Sequence, residues 1–126
     1  MASGWVPVRN PQSKYFITEE QYAEASYPPF VTGPSYLVSK VAVSKLFYAA
    51  LEHTFLHLED VFLTGIIAEQ LGIPRRLAPE FRNNAVRIPA QFLGCTILRT
   101  ISIHKVLPEE QQKLSKMAKN PKCGKN

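Results

Sequence analysis

Tyr27-Pro28-Pro29-Phe30 sets the first limit on how this chain can fold. Each proline fixes φ, removes a backbone donor and drives the residue before it toward extended geometry, so no helix crosses this segment. Residues 1–30 as a whole are rich in aromatics and prolines, with Tyr15-Phe16-Ile17-Thr18 as a short strand candidate and Glu19-Glu20-Gln21-Tyr22 as a turn or short helical piece. Beyond the prolines, Val31 to Val38 reads as a strand interrupted at Gly33-Pro34. A glycine inside a strand pattern marks a close backbone approach by a ligand or another chain.

Helical periodicity begins at Ser39, a good N-cap for a helix over Lys40–His53 in which Val43, Leu46, Phe47, Ala50 and Leu51 recur at helical spacing. A second helix is predicted from Glu59 to Leu71, with Phe62, Ile66 and Ile67 as its buried stripe. Gly72 closes it as a C′ glycine, and Pro74 lies just beyond. After Arg75-Arg76 come a strand-like stretch Leu77–Phe81, a polar loop at Asn83-Asn84, and a strand within Thr96–His104 marked by the alternation Ile101-Ser102-Ile103-His104. Pro108 opens a polar helix, Glu109–Lys119, and Gly124 lies in a frayed tail. Strand–helix alternation without a repeat or linker favours an α/β architecture.

At 126 residues, 45% hydrophobic and 20% charged, the chain has the make-up of one folded domain or part of one. Its net charge of +5 is concentrated late, on Lys113, Lys116, Lys119, Lys122 and Lys125 of a basic tail over 113–126. No RNA-recognition or helix-turn-helix pattern accompanies those lysines, so they read as a solvated tail and not as a nucleic-acid surface. No apolar run approaches the roughly 20 residues that span a bilayer, and no signal-peptide core follows Met1. The start, Met1-Ala2-Ser3-Gly4-Trp5, leads directly into sequence resembling domain interior, which suggests a fragment or truncated product.

One acidic pair stands among apolar residues. Asp60 is the only aspartate, within Leu58-Glu59-Asp60-Val61-Phe62-Leu63-Thr64-Gly65, so no Asp-x-Asp metal motif exists in this chain. A charge among apolar residues is costly unless something there needs it. Two readings fit Glu59 and Asp60. They are helix-start acids favoured by the macrodipole by about 0.3–1 kcal/mol, or they include a general base for a hydroxyl substrate.

His53 and His57, with Glu59 nearby, superficially resemble a zinc site. Thr54-Phe55-Leu56 falls at or beyond the helix end, and no cysteine or third histidine lies close enough in sequence to complete a tetrahedral set. His104 ends an apolar strand, where it either points into a site or serves structure alone. No Gly-x-Ser-x-Gly, Walker A or Gly-x-Gly-x-x-Gly is present, which leaves hydrolase, P-loop and dinucleotide readings without support. Cys95 and Cys123 are as compatible with a bridge as with free thiols.

Taken in order, several segments resemble the β-1,3-galactosyltransferase family of Golgi β-1,3-hexosyltransferases, which includes β-1,3-N-acetylglucosaminyltransferases. They are Tyr27-Pro28-Pro29-Phe30, Thr32-Gly33-Pro34-Ser35-Tyr36-Leu37-Val38-Ser39, Leu58-Glu59-Asp60-Val61-Phe62 with Gly65, and Leu71-Gly72-Ile73. Cys95, Ile101-Ser102-Ile103-His104 and Glu110-Gln111 resemble the family's C-terminal end. The resemblance implies that residues 1–126 are the C-terminal, acceptor-side part of a GT-A catalytic domain, a Rossmann-like α/β sandwich. It implies inverting transfer from UDP-galactose or UDP-N-acetylglucosamine, with Mn²⁺, to a sugar hydroxyl of a glycoprotein or glycolipid glycan, on the lumenal side of the Golgi membrane.

Under that resemblance Asp60 is the general base and Glu59 orients the acceptor or supports Asp60. Gly33, Pro34, Ser35 and Tyr36 line the sugar site, His104 is a metal ligand, and Cys95–Cys123 is a lumenal disulfide. The family's membrane anchor, stem, nucleotide-binding first half and Asp-x-Asp are missing from these residues, and Thr32-Gly33-Pro34 stands where many relatives carry Cys-Ser-Gly. The isolated chain is therefore expected to be inactive. The competing expectation is a non-catalytic relative that binds other transferases or a glycan.

Overall fold

With no helix available to them, residues 1–30 satisfy their backbone groups pairwise across loops. In a computed structural model, which describes residues 1–82 and 93–119, Ala2 and Phe30 exchange N–H···O bonds of 2.9 and 3.0 Å as an isolated antiparallel bridge. Ile17 N–H donates to the Val8 carbonyl at 3.0 Å, beside the parallel bridge between Val8 and Phe16. The Tyr15–Thr18 strand expectation thus reduces to this single bridge. Thr18 and Gln21 form a reciprocal capping box, with bonds of 3.1 and 3.2 Å, around the turn expected there. The Arg9 guanidinium ties both pieces together by donating to the carbonyls of Ile17 and Tyr22 at 2.8 and 2.6 Å.

The chain divides into two units, Met1–Leu77 and Ala78–Asn126. In the first, α1 is Lys40–Ala50, capped by the Ser39 hydroxyl, which accepts from Ala42 N–H at 3.3 Å. It ends three residues before the expected His53, in a turn closed by Glu52 N–H on the Ala49 carbonyl. Its inward side is Ala42, Leu46, Ala49 and Ala50. Val43, Phe47 and Leu51, which share the helical spacing of Leu46, are exposed, since nothing in this unit covers their side of the helix.

The second helix, α2, is the π-helical run Asp60–Ile67 continuing into the α-turn Ala68–Gln70. It stops as predicted at Gly72, which takes φ +61°. Gly72 N–H bonds the Glu69 carbonyl and Ile73 N–H the Ala68 carbonyl, at 3.0 and 2.8 Å, which is a Schellman closure. Phe62 and Ile67 are buried as expected, whereas Ile66 is only half-buried.

The core of this unit gathers Ile17, Tyr27, Phe30, Leu46, Leu56, Val61, Phe62 and Ile67. Phe30 sits at its centre, edge-on to Trp5 and to Tyr27 with ring centroids 5.7 and 6.4 Å away. Val31–Val38 forms no strand. Its backbone turns at Gly33-Pro34, and its polar groups are engaged by α2.

In the second unit, β1 (Phe81–Arg82) and β2 (Ser102–Ile103) pair in parallel, Phe81 opposite Ser102 and Arg82 opposite Ile103. The start of the stretch expected as strand over Thr96–His104 is instead the end of a helix, α3, at Leu93–Leu98, and the strand is confined to Ser102–Ile103 within the alternating run. A short apolar run fits either period, and only Ile101–His104 truly alternates. Pro108 opens α4, Pro108–Lys119, as predicted, and Glu110 reaches back to Leu107 N–H at 2.9 Å. The helix packs on α3.

The parallel pairing and flanking helices agree with the α/β expectation in kind. The Asn83-Asn84 loop and the end of the basic tail, 120–126, lie outside the described residues. Among the described residues no helix is long and apolar enough to cross a membrane.

Candidate active site

Over Asp60–Ile67, α2 is wider than an α-helix. Phe62 N–H enters it with an ordinary bond to the Leu58 carbonyl, and at its far end Ala68 N–H reaches the carbonyls of Leu63 and Gly65. Such i→i+5 segments are uncommon and recur at functional sites. Two small or polar residues shape this one. Gly65 faces Phe30 and Pro28, and a Cβ added there would lie 3.1 Å from the Phe30 Cβ. Thr64 is buried, and its hydroxyl donates toward the Asp60 carbonyl at 2.6 Å.

The Asp60 carboxylate is held from two directions. Val61 N–H donates to Oδ1 at 2.8 Å and Gly33 N–H donates to Oδ2 at 2.7 Å. The first bond stays within the helix's own first turn. The second comes from a loop far away in sequence, so the helix-start reading does not account for it. Gly33 is a glycine because of this approach: an added Cβ would stand 3.1 Å from Asp60 Oδ2 and 3.5 Å from Glu59 Oε1. Each carboxylate oxygen has two lone pairs, so one N–H on each leaves acceptor capacity for a substrate hydroxyl. The side chain is half-buried, and Glu59 beside it is exposed.

Tyr36 completes the cluster. Burial, then the negative charges of Glu59 and of Asp60, push its phenol above the ordinary tyrosine value. A phenol in that state is a hydrogen-bond donor at neutral pH. The structure therefore brings Gly33, Tyr36, Glu59 and Asp60 together in one unit, with Pro34 exposed and Ser35 half-buried between the first two.

The remaining candidates lie elsewhere in the chain. His104 belongs to the second unit, where its side chain is exposed and its N–H donates to the Arg82 carbonyl at 3.0 Å. Cys95 is disulfide-bonded, and Cys123 lies outside the described residues. His53 and His57 share no helix, since α1 ends at Ala50 and α2 starts at Asp60; His57 Nε2 sits 3.2 Å from the Lys14 carbonyl. Among the described residues no group of three or more His, Cys, Asp or Glu side chains is arranged to hold a metal ion. Sequence reasoning missed Thr64. The available signal was a hydroxyl four residues after Asp60 in an otherwise apolar run.

The galactosyltransferase family model matches residues 1–79. The chain is similar to beta-1,3-galactosyltransferase 1 of Homo sapiens, 29% identical over 109 residues, covering 86% of this chain and 32% of the relative. It is 32% identical over 104 residues to human beta-1,3-galactosyltransferase 5, covering 81% of this chain and 32% of that protein. It is 38% identical over 71 residues to the lactosylceramide 1,3-N-acetyl-beta-D-glucosaminyltransferase of Xenopus tropicalis, covering 56% and 19%. The chain thus spans about a third or less of the length of these relatives. No solved structure matches it.

Proposed function

Because this chain belongs to the galactosyltransferase family, we propose that it carries the acceptor side of an inverting β-1,3-hexosyltransferase site in a GT-A, Rossmann-like domain. The donor is a UDP-hexose, galactose or N-acetylglucosamine, and the acceptor is a sugar hydroxyl of a glycan. The observation that carries the reading is the Asp60 carboxylate, fixed by two backbone N–H groups yet open enough to accept a third proton donor.

In this reading the acceptor hydroxyl binds to a free lone pair of Asp60. As its oxygen attacks the anomeric carbon, the proton passes to the carboxylate and the bond to the UDP oxygen breaks on the opposite face. A single displacement of this kind inverts the anomeric centre. Tyr36 donates to a sugar oxygen, and Glu59 accepts from a neighbouring acceptor hydroxyl. Gly33 and Pro34 provide the floor, where no Cβ at position 33 intrudes on the approach to the carboxylates.

The described residues do not form a metal centre. One aspartate cannot make Asp-x-Asp, and His104 is a single candidate ligand in the other unit. The disulfide at Cys95 supports an oxidising, lumenal compartment.

The test joins this chain to the preceding portion of beta-1,3-galactosyltransferase 1 and assays both UDP-sugars against simple β-linked acceptors. Asp60→Asn is expected to lower turnover by about 10²–10⁴-fold. Normal turnover in that variant removes Asp60 from the mechanism, and acceptor binding without turnover in the unsubstituted protein favours a glycan-binding role.

A further inference from the structure

Thr64 is 6% exposed, the polar residue buried within the apolar face of α2. Stabilising the widened helical turn would require only its contact with the Asp60 carbonyl, at 2.6 Å. The hydroxyl does more. It accepts Val31 N–H at 2.8 Å, and the Val31 carbonyl stands 3.2 Å away as a second acceptor. Two residues further along the same segment, Gly33 N–H holds Asp60 Oδ2 at 2.7 Å. The side chains of Thr64 and Asp60, one turn apart on α2, therefore hold two alternate amides of a single extended segment.

A hydroxyl bound on both sides inside a packed core is expensive to disturb, since removing it leaves Val31 N–H without a partner. Thr64 also grips the very residue whose carboxylate is at issue, through its main-chain carbonyl. Loop and carboxylate are thereby referenced to one oxygen atom.

We infer that Thr64 is a positioning residue for Asp60. It keeps the segment from Val31 to Tyr36 in place, so that Gly33 N–H fixes the orientation of the carboxylate and Tyr36 stays beside it. The inference rests on reading Asp60 as the base, and the experiment separates the two. Because Asp60 is the only aspartate, selective ¹³C labelling of aspartate gives one side-chain carboxyl resonance, which can be followed together with the Gly33 amide proton. Neither readout needs catalysis.

In the unsubstituted chain the Thr64 hydroxyl proton is expected to exchange slowly and to show a through-space contact to the Val31 amide. Thr64→Val is expected to shift both the Gly33 amide and the aspartate carboxyl signals while the ring signals of Phe30 stay dispersed. Thr64→Ser, which keeps the oxygen, is expected to return both signals toward their original positions. In the joined enzyme, Thr64→Val should lower kcat about tenfold with little change in KM, the rate equivalent of about one hydrogen bond. It should add nothing in an Asp60→Asn background.

A fast-exchanging Thr64 hydroxyl, or Gly33 and Asp60 signals unmoved by Thr64→Val, overturns the inference even if Asp60 proves to be the base. If the spectroscopic changes appear but Asp60→Asn turns over normally, the positioning stands and the functional reading fails. If Thr64→Val does not fold, the hydroxyl exchange of the unsubstituted chain and the Thr64→Ser spectra decide.

Discussion

The amide of Gly33 donates to Oδ2 of Asp60 at 2.7 Å, across 27 positions of sequence. That bond is one the helix-start reading alone does not explain. An acid placed to satisfy a helix start spends its oxygens on its own first-turn amides. Asp60 spends one oxygen that way, on Val61, and the other on a loop that also carries Tyr36. The result is a carboxylate held from two directions, with four lone-pair sites in all and so acceptor capacity beyond those two bonds.

Gly33→Ala tests the closeness of that approach. The φ of Gly33 is not in the left-handed region, so alanine meets no backbone strain there and its cost is contact alone. The new Cβ would lie 3.1 Å from Oδ2 and 3.4 Å from Cγ of Asp60. The carboxylate can yield only by loosening its bond to Val61 or to position 33 itself. The expected loss is about 0.5–1.5 kcal/mol of stability, one hydrogen bond's worth, read by urea unfolding. A fall in kcat/KM of about 2- to 13-fold should accompany it in the joined enzyme, by the conversion of that free energy to rate. Unchanged stability and unchanged activity together would mean that the Gly33 bond constrains nothing.

Gly65→Ala sets two opposing effects against each other. Removing a glycine from a helix stabilises by about 0.5–1 kcal/mol. The added Cβ would stand 3.1 Å from the Phe30 Cβ and 3.7 Å from Pro28, and Phe30 is only 2% exposed, so it has little room to yield. Overpacking a core typically costs about 1–3 kcal/mol and should win. The variant is expected to unfold at lower urea than the parent, with Gly65→Val lower still. A more stable Gly65→Ala would show that α2 shifts freely against the 28–30 segment.

How much of this was legible in the sequence depends on the kind of signal. Ser39, Gly72 and Pro108 mark helix ends through chemistry local to one turn, and all three mark them in the structure. The strand expectations fared worse. The alternating Ile101–His104 did hold a strand at Ser102–Ile103, but Val31–Val38 and the start of Thr96–His104 have strand-like composition only, since a strand needs a partner and none is specified within either segment. Val31 and Gly33 find theirs in side chains of α2, more than 25 residues later, as hydrogen bonds of 2.8 and 2.7 Å record. The π-helical run left no periodic trace, and the contacts along it are largely tertiary: Gly65 against Phe30, and Thr64 against Val31. Asp60 was legible as a solitary charge, and Gly33 as a point of close backbone approach. Their bond to each other was not.

Alkaline titration tests the position of Tyr36 from the other side. Burial raises the phenols of Tyr22, Tyr27 and Tyr36 above the ordinary 10.0, and for Tyr36 the charges of Glu59 and Asp60 add to it. A group whose pKa is higher folded than unfolded contributes stability that is whole below the unfolded value and is lost as pH rises through the folded one. Stability should therefore be insensitive to these groups below about pH 10 and fall progressively above it. Ring-labelled tyrosine spectra should show Tyr36 ionising above the ordinary value. Asp60→Asn should bring it part of the way back, since one negative charge is removed while burial, the larger cause, remains. If that substitution leaves the Tyr36 titration unmoved, the phenol does not sense the carboxylate, and Tyr36 cannot act on a hydroxyl that Asp60 holds.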